Sequence, residues 1–102
     1  MEKRTVKNLI LDFFNKDRDI SPIYIVKNFV LVIKLHEYLI LRNKYCTIET
    51  VSRIWREIRE MSEERIIGNR RWKIIKHDGE ELYAINKMKT NNNHDTWEFR
   101  KL

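Results

Sequence analysis

Glycine occurs only twice in the 102-residue chain (Gly68 and Gly79), proline once (Pro22), cysteine once (Cys46) and glutamine not at all. Two isolated glycines cannot build a phosphate-cradling loop, which needs a glycine-rich run at a helix start. A lone cysteine cannot close an internal disulfide, so a buried, inert thiol in a reducing compartment is expected. Long uncharged apolar runs are also missing. Lys27, Lys34, His36 and Glu37 interrupt the most hydrophobic stretch, and no membrane span or membrane partner is expected. The opening MEKRTVKNLILDFF mixes charges with its apolar residues and lacks a small-residue cleavage site. That argues against secretion and for an intracellular protein.

Recognisable chemistry is scarce as well. His36, His77 and His94 stand far apart, with no cysteine or histidine at ligand spacing, so no metal site is expected. Asp12, Asp17, Asp19, Glu63, Glu64, Glu80 and Glu81 fall in clusters that suit a solvated surface better than acid–base work. No Ser/His/Asp or Cys/His set can be drawn. The expectation is a non-enzymatic protein with no catalytic residues, no cofactor and no small-molecule substrate.

What is present is charge and apolar patterning. There are 21 basic and 15 acidic residues, a net charge of +6, which favours acidic partners, nucleic acid included. Residues 1–50 hold 9 basic and 6 acidic residues and residues 51–102 hold 12 and 9, so neither half carries the excess. With 42% apolar residues the chain has enough hydrophobic material for a core. Val6, Leu9, Ile10, Phe13 and Phe14 form one helical stripe, with Thr5 as its cap and Asn15–Asp19 as its end. Val51, Ile54, Trp55, Ile58 and Met61 form a second, capped by Thr47 and with Glu49 favoured in its first turn.

Asp78-Gly79 between two apolar runs predicts a tight hairpin, because both central positions of a type I′ turn take positive φ. Simple pairing sets His77 opposite Glu80, Lys76 opposite Glu81, Ile74 opposite Tyr83 and Trp72 opposite Ile85. That places Trp72, Ile74, Tyr83 and Ile85 on a common core face. Residues 22–44 are rich in Ile and Val, which favours a second hairpin turning at Leu35-His36-Glu37, with a long buried helix as the alternative. A weak internal repeat supports the hairpin. VKNLILDFF (6–14) aligns with VSRIWREIR (51–59), VIK (32–34) with IIK (74–76), and EYLILRNK (37–44) with EELYAINK (80–87). Residues 87–95 (KMKTNNNHD) read as a polar linker, and Trp97 and Phe99 share one face of a late strand over 96–101, docked on a sheet edge.

The expected fold is therefore α+β: two similar αββ motifs in a single domain over 1–102. Motif one spans 3–44, motif two 47–87 and a C-terminal tail 88–102. Two functions suit it. The first is a protein–protein interaction module that takes a protein or peptide segment, or a second copy of itself, at a sheet edge or in the groove between motifs, with Trp72, Tyr83, Trp97 and Phe99 as anchors. The second is a winged-helix-like DNA-binding protein, with Arg53, Arg56 and Arg59 on a recognition helix and Arg70, Arg71 and Lys73 on the wing. Against the second, Glu57, Glu60 and Glu63 follow the three helix arginines at i+4, and a winged helix needs three helices where the repeat supplies two.

Fourteen isoleucines, one alanine (Ala84), abundant Lys, Arg and Glu, and the doubled VKNLILDFF/VSRIWREIR pattern resemble the small orphan proteins of filamentous viruses that infect hyperthermophilic archaea. The resemblance implies an intracellular protein of an infected archaeal cell, with no enzymatic family behind it. It transfers no functional residues. The asparagine run at 91–93 departs from it, since asparagine is heat-labile.

Overall fold

Thr5 begins the first element as expected. Its hydroxyl accepts the backbone N–H of Asn8 at 3.1 Å and caps α1 (Val6–Lys16). In the computed structural model, which describes residues 5–16, 23–88 and 95–102, there follow β1 (Ile23–Lys27), α2 (Asn28–Leu41), α3 (Ile48–Glu60), β2 (Glu63–Ile67), β3 (Arg70–His77), β4 (Glu80–Met88) and β5 (Thr96–Lys101). The five strands form one antiparallel sheet in the order β1-β5-β4-β3-β2. The α+β class holds. Asp17, Asp19, His94 and most of the expected linker lie outside the described residues.

The pairing of motifs does not hold. Residues 28–41 are a helix, so the first half runs helix–strand–helix and the second helix–strand–strand–strand. Branching at Val30, Val32, Ile33 and Ile40 favours strand only weakly, and tertiary burial outweighs it. As a helix the segment buries Leu31, Val32, Leu35 and Leu39 on one side against the rest of the core. Its end is also helical in character. Asn43 takes φ +59, and Lys44 N–H reaches back to Leu39 C=O at 2.9 Å, which is a left-handed C-terminal cap. Asn43-Lys44 and Asn86-Lys87 match in sequence but not in structure.

The Asp78-Gly79 turn forms as expected, with φ of +52 and +78. His77 pairs with Glu80 and Lys76 with Glu81, but beyond them the register slips by one. Ile75 pairs with Tyr83, Ile74 with Ala84 and Lys73 with Ile85. The extra residue on β4 is a bulge, and it lets Leu82 join the main core. A one-residue slip sends a strand's side chains to the other face. The expected common face therefore splits. Ile75, Tyr83 and Ile85 meet the helices, whereas Trp72, Ile74 and Ala84 form a separate buried cluster on the opposite side.

The expected late strand forms, but not at an edge. β5 lies inside the sheet, between β1 and β4. Trp97 and Phe99 face the helices and meet Phe14 and Trp55, with the Phe99 ring stacked on both at 5.5 and 6.2 Å. One polar group ties these elements together. The side-chain carbonyl of Asn28, the first residue of α2, accepts the indole N–H of Trp55 at 3.2 Å and that of Trp97 at 2.9 Å. Both tryptophans are buried, so neither N–H has water as an alternative. Replacing Asn28 by Leu strands two buried donors and should lower unfolding stability by about 2–5 kcal/mol. Urea denaturation measures it, and a loss below about 1 kcal/mol would show that the two bonds are not structural.

Candidate functional site

The described residues hold no helix long and apolar enough to cross a membrane and no group of three His, Cys, Asp or Glu placed to hold a metal. Nor do the four expected aromatic anchors offer a surface. Trp72, Tyr83, Trp97 and Phe99 are all at least nine-tenths buried. Strand alternation and the aromatic cluster place Tyr83, Trp97 and Phe99 under the helices. Trp72 is instead covered by charge, with the guanidinium carbons of Arg70 and Arg100 lying 4.8 and 5.2 Å from its ring centre.

That covering belongs to a lattice of ion pairs on the helix-free face of the sheet. Glu98, itself buried, holds Arg70 at 2.7 Å and Arg100 at 3.5 Å. Arg65 bridges Glu63 and Glu81, and Lys76 reaches Glu63 at 3.2 Å. The register explains the set, because Glu63, Arg65, Trp72 and Ile74 share this face across β2 and β3. Arg70, expected on a basic wing, is thus a neutralised cover for Trp72.

Four other basic residues gather on the helix side. A cleft of about 300 Å³ opens between the C-terminal turn of α3 and strands β3, β4 and β5. Arg59, Arg71, Lys73 and Lys87 line it above a floor of Trp97 and Ile85. Glu60, Glu64, Asn86 and Trp72 complete the lining. Lys73 is held by Glu64 at 3.4 Å and Lys87 by Asp95 at 3.0 Å. Arg59 and Arg71 make no ion pair among the described residues.

Arg59 is the most constrained of them. Its guanidinium carbon lies 4.3 Å from the Trp97 ring centre and 5.3 Å from that of Trp55, and its buried Nε has no hydrogen-bond partner among the described residues. Burial pushes its pKa down, an effect that Asp95 opposes and the positive charge of Arg56 reinforces. An arginine stays charged even so. The result is a half-desolvated cation with an unmet donor. Of the other helix arginines, Arg56 is exposed and makes no ion pair among the described residues, and Arg53 is held by Glu57 at 3.1 Å.

The structure thus brings together Arg59, Arg71 and Lys73 from the expected basic set, keeps Arg56 close to Arg59, and separates Arg53 and Arg70 from them. Lys87, Glu60 and Glu64 join the cleft with little sequence signal. Lys87 follows Tyr83 and Ile85 at two-residue spacing, which matters only once the helix-covered face of β4 is known. Cys46, half-buried, has its thiol pKa raised by burial against the opposing charge of Lys44.

The ion-pair lattice predicts an acid sensitivity. Hydrogen bonds from Arg65 hold Glu81 and Glu63 below the usual carboxylate value of 4.5, with Lys76 adding to the effect on Glu63. A lowered folded-state pKa stabilises the fold above the unfolded value, and that contribution is lost as pH falls through the lowered one. The melting temperature should drop on acidification below about pH 4.5, and less steeply in Glu81→Gln. Circular dichroism melts across this range test it, and parallel curves for the two proteins would count against the lattice. No family model, no curated protein and no solved structure matches the chain.

Proposed function

We propose that the chain is a non-enzymatic nucleic-acid-binding protein that takes phosphate along the Arg56–Arg59 edge of α3 and into the cleft lined by Arg71, Lys73 and Lys87. The observation that carries this is the convergence of Arg59 and Arg71, neither of them in an ion pair among the described residues, on a cleft that Lys73 and Lys87 also line. Phosphate contacts supply most of the affinity of such proteins, through the release of condensed counterions. Arginine N–H groups donate charge-assisted hydrogen bonds to phosphate oxygens. The three helices also remove the main objection raised by the sequence, since a winged helix needs three, and α3 is followed by the β2–β3 hairpin.

A protein segment is the second reading, favoured by one feature. Among the described residues no strand lies beside the outer edge of β2, and Ile66 and Ile67 at its end are 69% and 40% exposed. A peptide added there would gain backbone hydrogen bonds and two apolar contacts. The β1 edge is less suited, because β1 runs directly into α2.

A salt titration separates the two. With about four phosphates contacted, log K for duplex DNA should fall with log salt at a slope near −3 to −4. Arg71→Ala and Arg56→Ala should each lower that slope by about one, and Arg53→Ala, already paired within its helix, by less. Absence of binding to duplex or single strands at low salt would overturn the proposal.

A further inference from the structure

The ladder between β3 and β4 ends at Lys73 opposite Ile85, whereas that between β2 and β3 runs on to Ile67 opposite Arg70. The start of β3, from Arg70 to Trp72, therefore pairs with β2 alone, and the β2–β3 hairpin extends past the sheet ladder as a two-stranded arm. The basic cleft lies in this fork, lined by Arg71 and Lys73 of the arm and by Asn86 and Lys87 of β4. The arm turns at Gly68-Asn69, where Gly68 takes φ +66, and every residue from Ile66 to Arg71 is exposed. Turns favour Gly, Asn, Asp, Ser and Pro, so two exposed isoleucines beside this one are out of place. Cross-strand pairing sets Ile66 beside Arg71, on the cleft side, and Ile67 beside Arg70, on the other. The stretch from Ile66 to Arg71 carries two cations and no carboxylate. Its base is braced, because Arg65 bridges Glu63 and Glu81 and Glu98 holds Arg70.

We propose that this arm is a wedge, which inserts Ile66 and Ile67 between base pairs of duplex DNA while the cleft beside it holds the adjoining phosphates. The wedge rests on the nucleic-acid reading above and gives it a mode of binding. A duplex carries its charge outside and its apolar base faces inside. The arm offers the matching order, with a cation on each side and isoleucine next to its end. An aliphatic side chain reads no hydrogen-bond pattern, so its gain lies in apolar surface, which a partly opened base step supplies. Asn69, at the turn, brings amide donors suited to the acceptors of the minor groove. A wedge must also resist the stack that it opens, and the ion pairs at the base of the arm hold it in place. A peptide laid along β2 would use the isoleucines but not the cation beside each, which is why the duplex is the better occupant.

Short DNA duplexes with a donor–acceptor dye pair at their ends, with and without a central mismatch, test it against the full chain. Binding should bend the intact duplex by roughly 20–90° and raise energy transfer between the dyes. The mismatched duplex is already partly opened and should bind about tenfold tighter or more. Ile66→Ser combined with Ile67→Ser should abolish both the bend and the preference for the mismatch. The same double variant should keep the salt slope, which counts phosphates alone. Both positions are exposed, and thermal melts check that the variant is folded. A salt-dependent complex with straight DNA, equal affinity for the two duplexes, or a bend that survives the double substitution would each overturn the wedge and leave the nucleic-acid reading standing. Absence of binding to either duplex at low salt would overturn both.

Discussion

One amide oxygen holds the molecule's least local contacts in place. The side chain of Asn28 receives the indole N–H groups of Trp55 and Trp97, which stand 27 and 69 residues further along the chain. Neither tryptophan could be buried without an acceptor, since an unpaired donor in a dry interior costs about 1–3 kcal/mol. With the acceptor supplied, α3 and β5 are fixed to the start of α2, and the backbone N–H of Asn28 adds a bond to Asp95 C=O at 2.8 Å. The stack of Phe14, Trp55 and Phe99 then closes the core between helices and sheet. The same arrangement lays Arg59 over Trp97, so the position of the cleft follows from the way the tryptophans are satisfied.

The two faces of the sheet treat charge differently. On the helix-free face nearly every cation meets a carboxylate, and Arg70 and Arg100 spend their aliphatic and guanidinium surface covering Trp72. Such a face is closed to an acidic partner, because its cations are already occupied. On the helix face Arg59 and Arg71 make no ion pair among the described residues, and only the through-space charges of Asp95 and Glu60 offset the burial of Arg59. The overall charge of +6 is therefore less informative than its local balance. Only the order and register of β2 to β5 show which arginines cancel.

Much of the architecture is legible in local pattern. The Thr5 and Thr47 caps, the apolar stripes of α1 and α3, the Asp78-Gly79 turn and the Trp97/Phe99 strand are all encoded within a few residues, where spacing and backbone preference act directly. Two features were not legible. α2 carries branched residues that suit a strand, and its apolar surface runs nearly all round, so no periodicity distinguishes helix from strand. The bulge at Leu82 depends on that side chain finding room in the core, which is a property of the packed helices above it. Asn43 after Leu41 was the one local sign of a helix end, and it reads equally well as a turn.

The candidate site divides along the same line. Sequence alone determined the α+β class, the two amphipathic helices, the hairpin turn and the presence of excess positive charge, because each depends on neighbours in the chain. Tertiary structure decided that residues 28–41 are helical, that β5 lies within the sheet, and that Trp72 faces away from Tyr83. It also decided that Arg59, Arg71, Lys73 and Lys87 share a cleft while Arg70 does not. Those outcomes depend on which distant groups compete for the same buried space and the same counterions, and no window of sequence contains that competition.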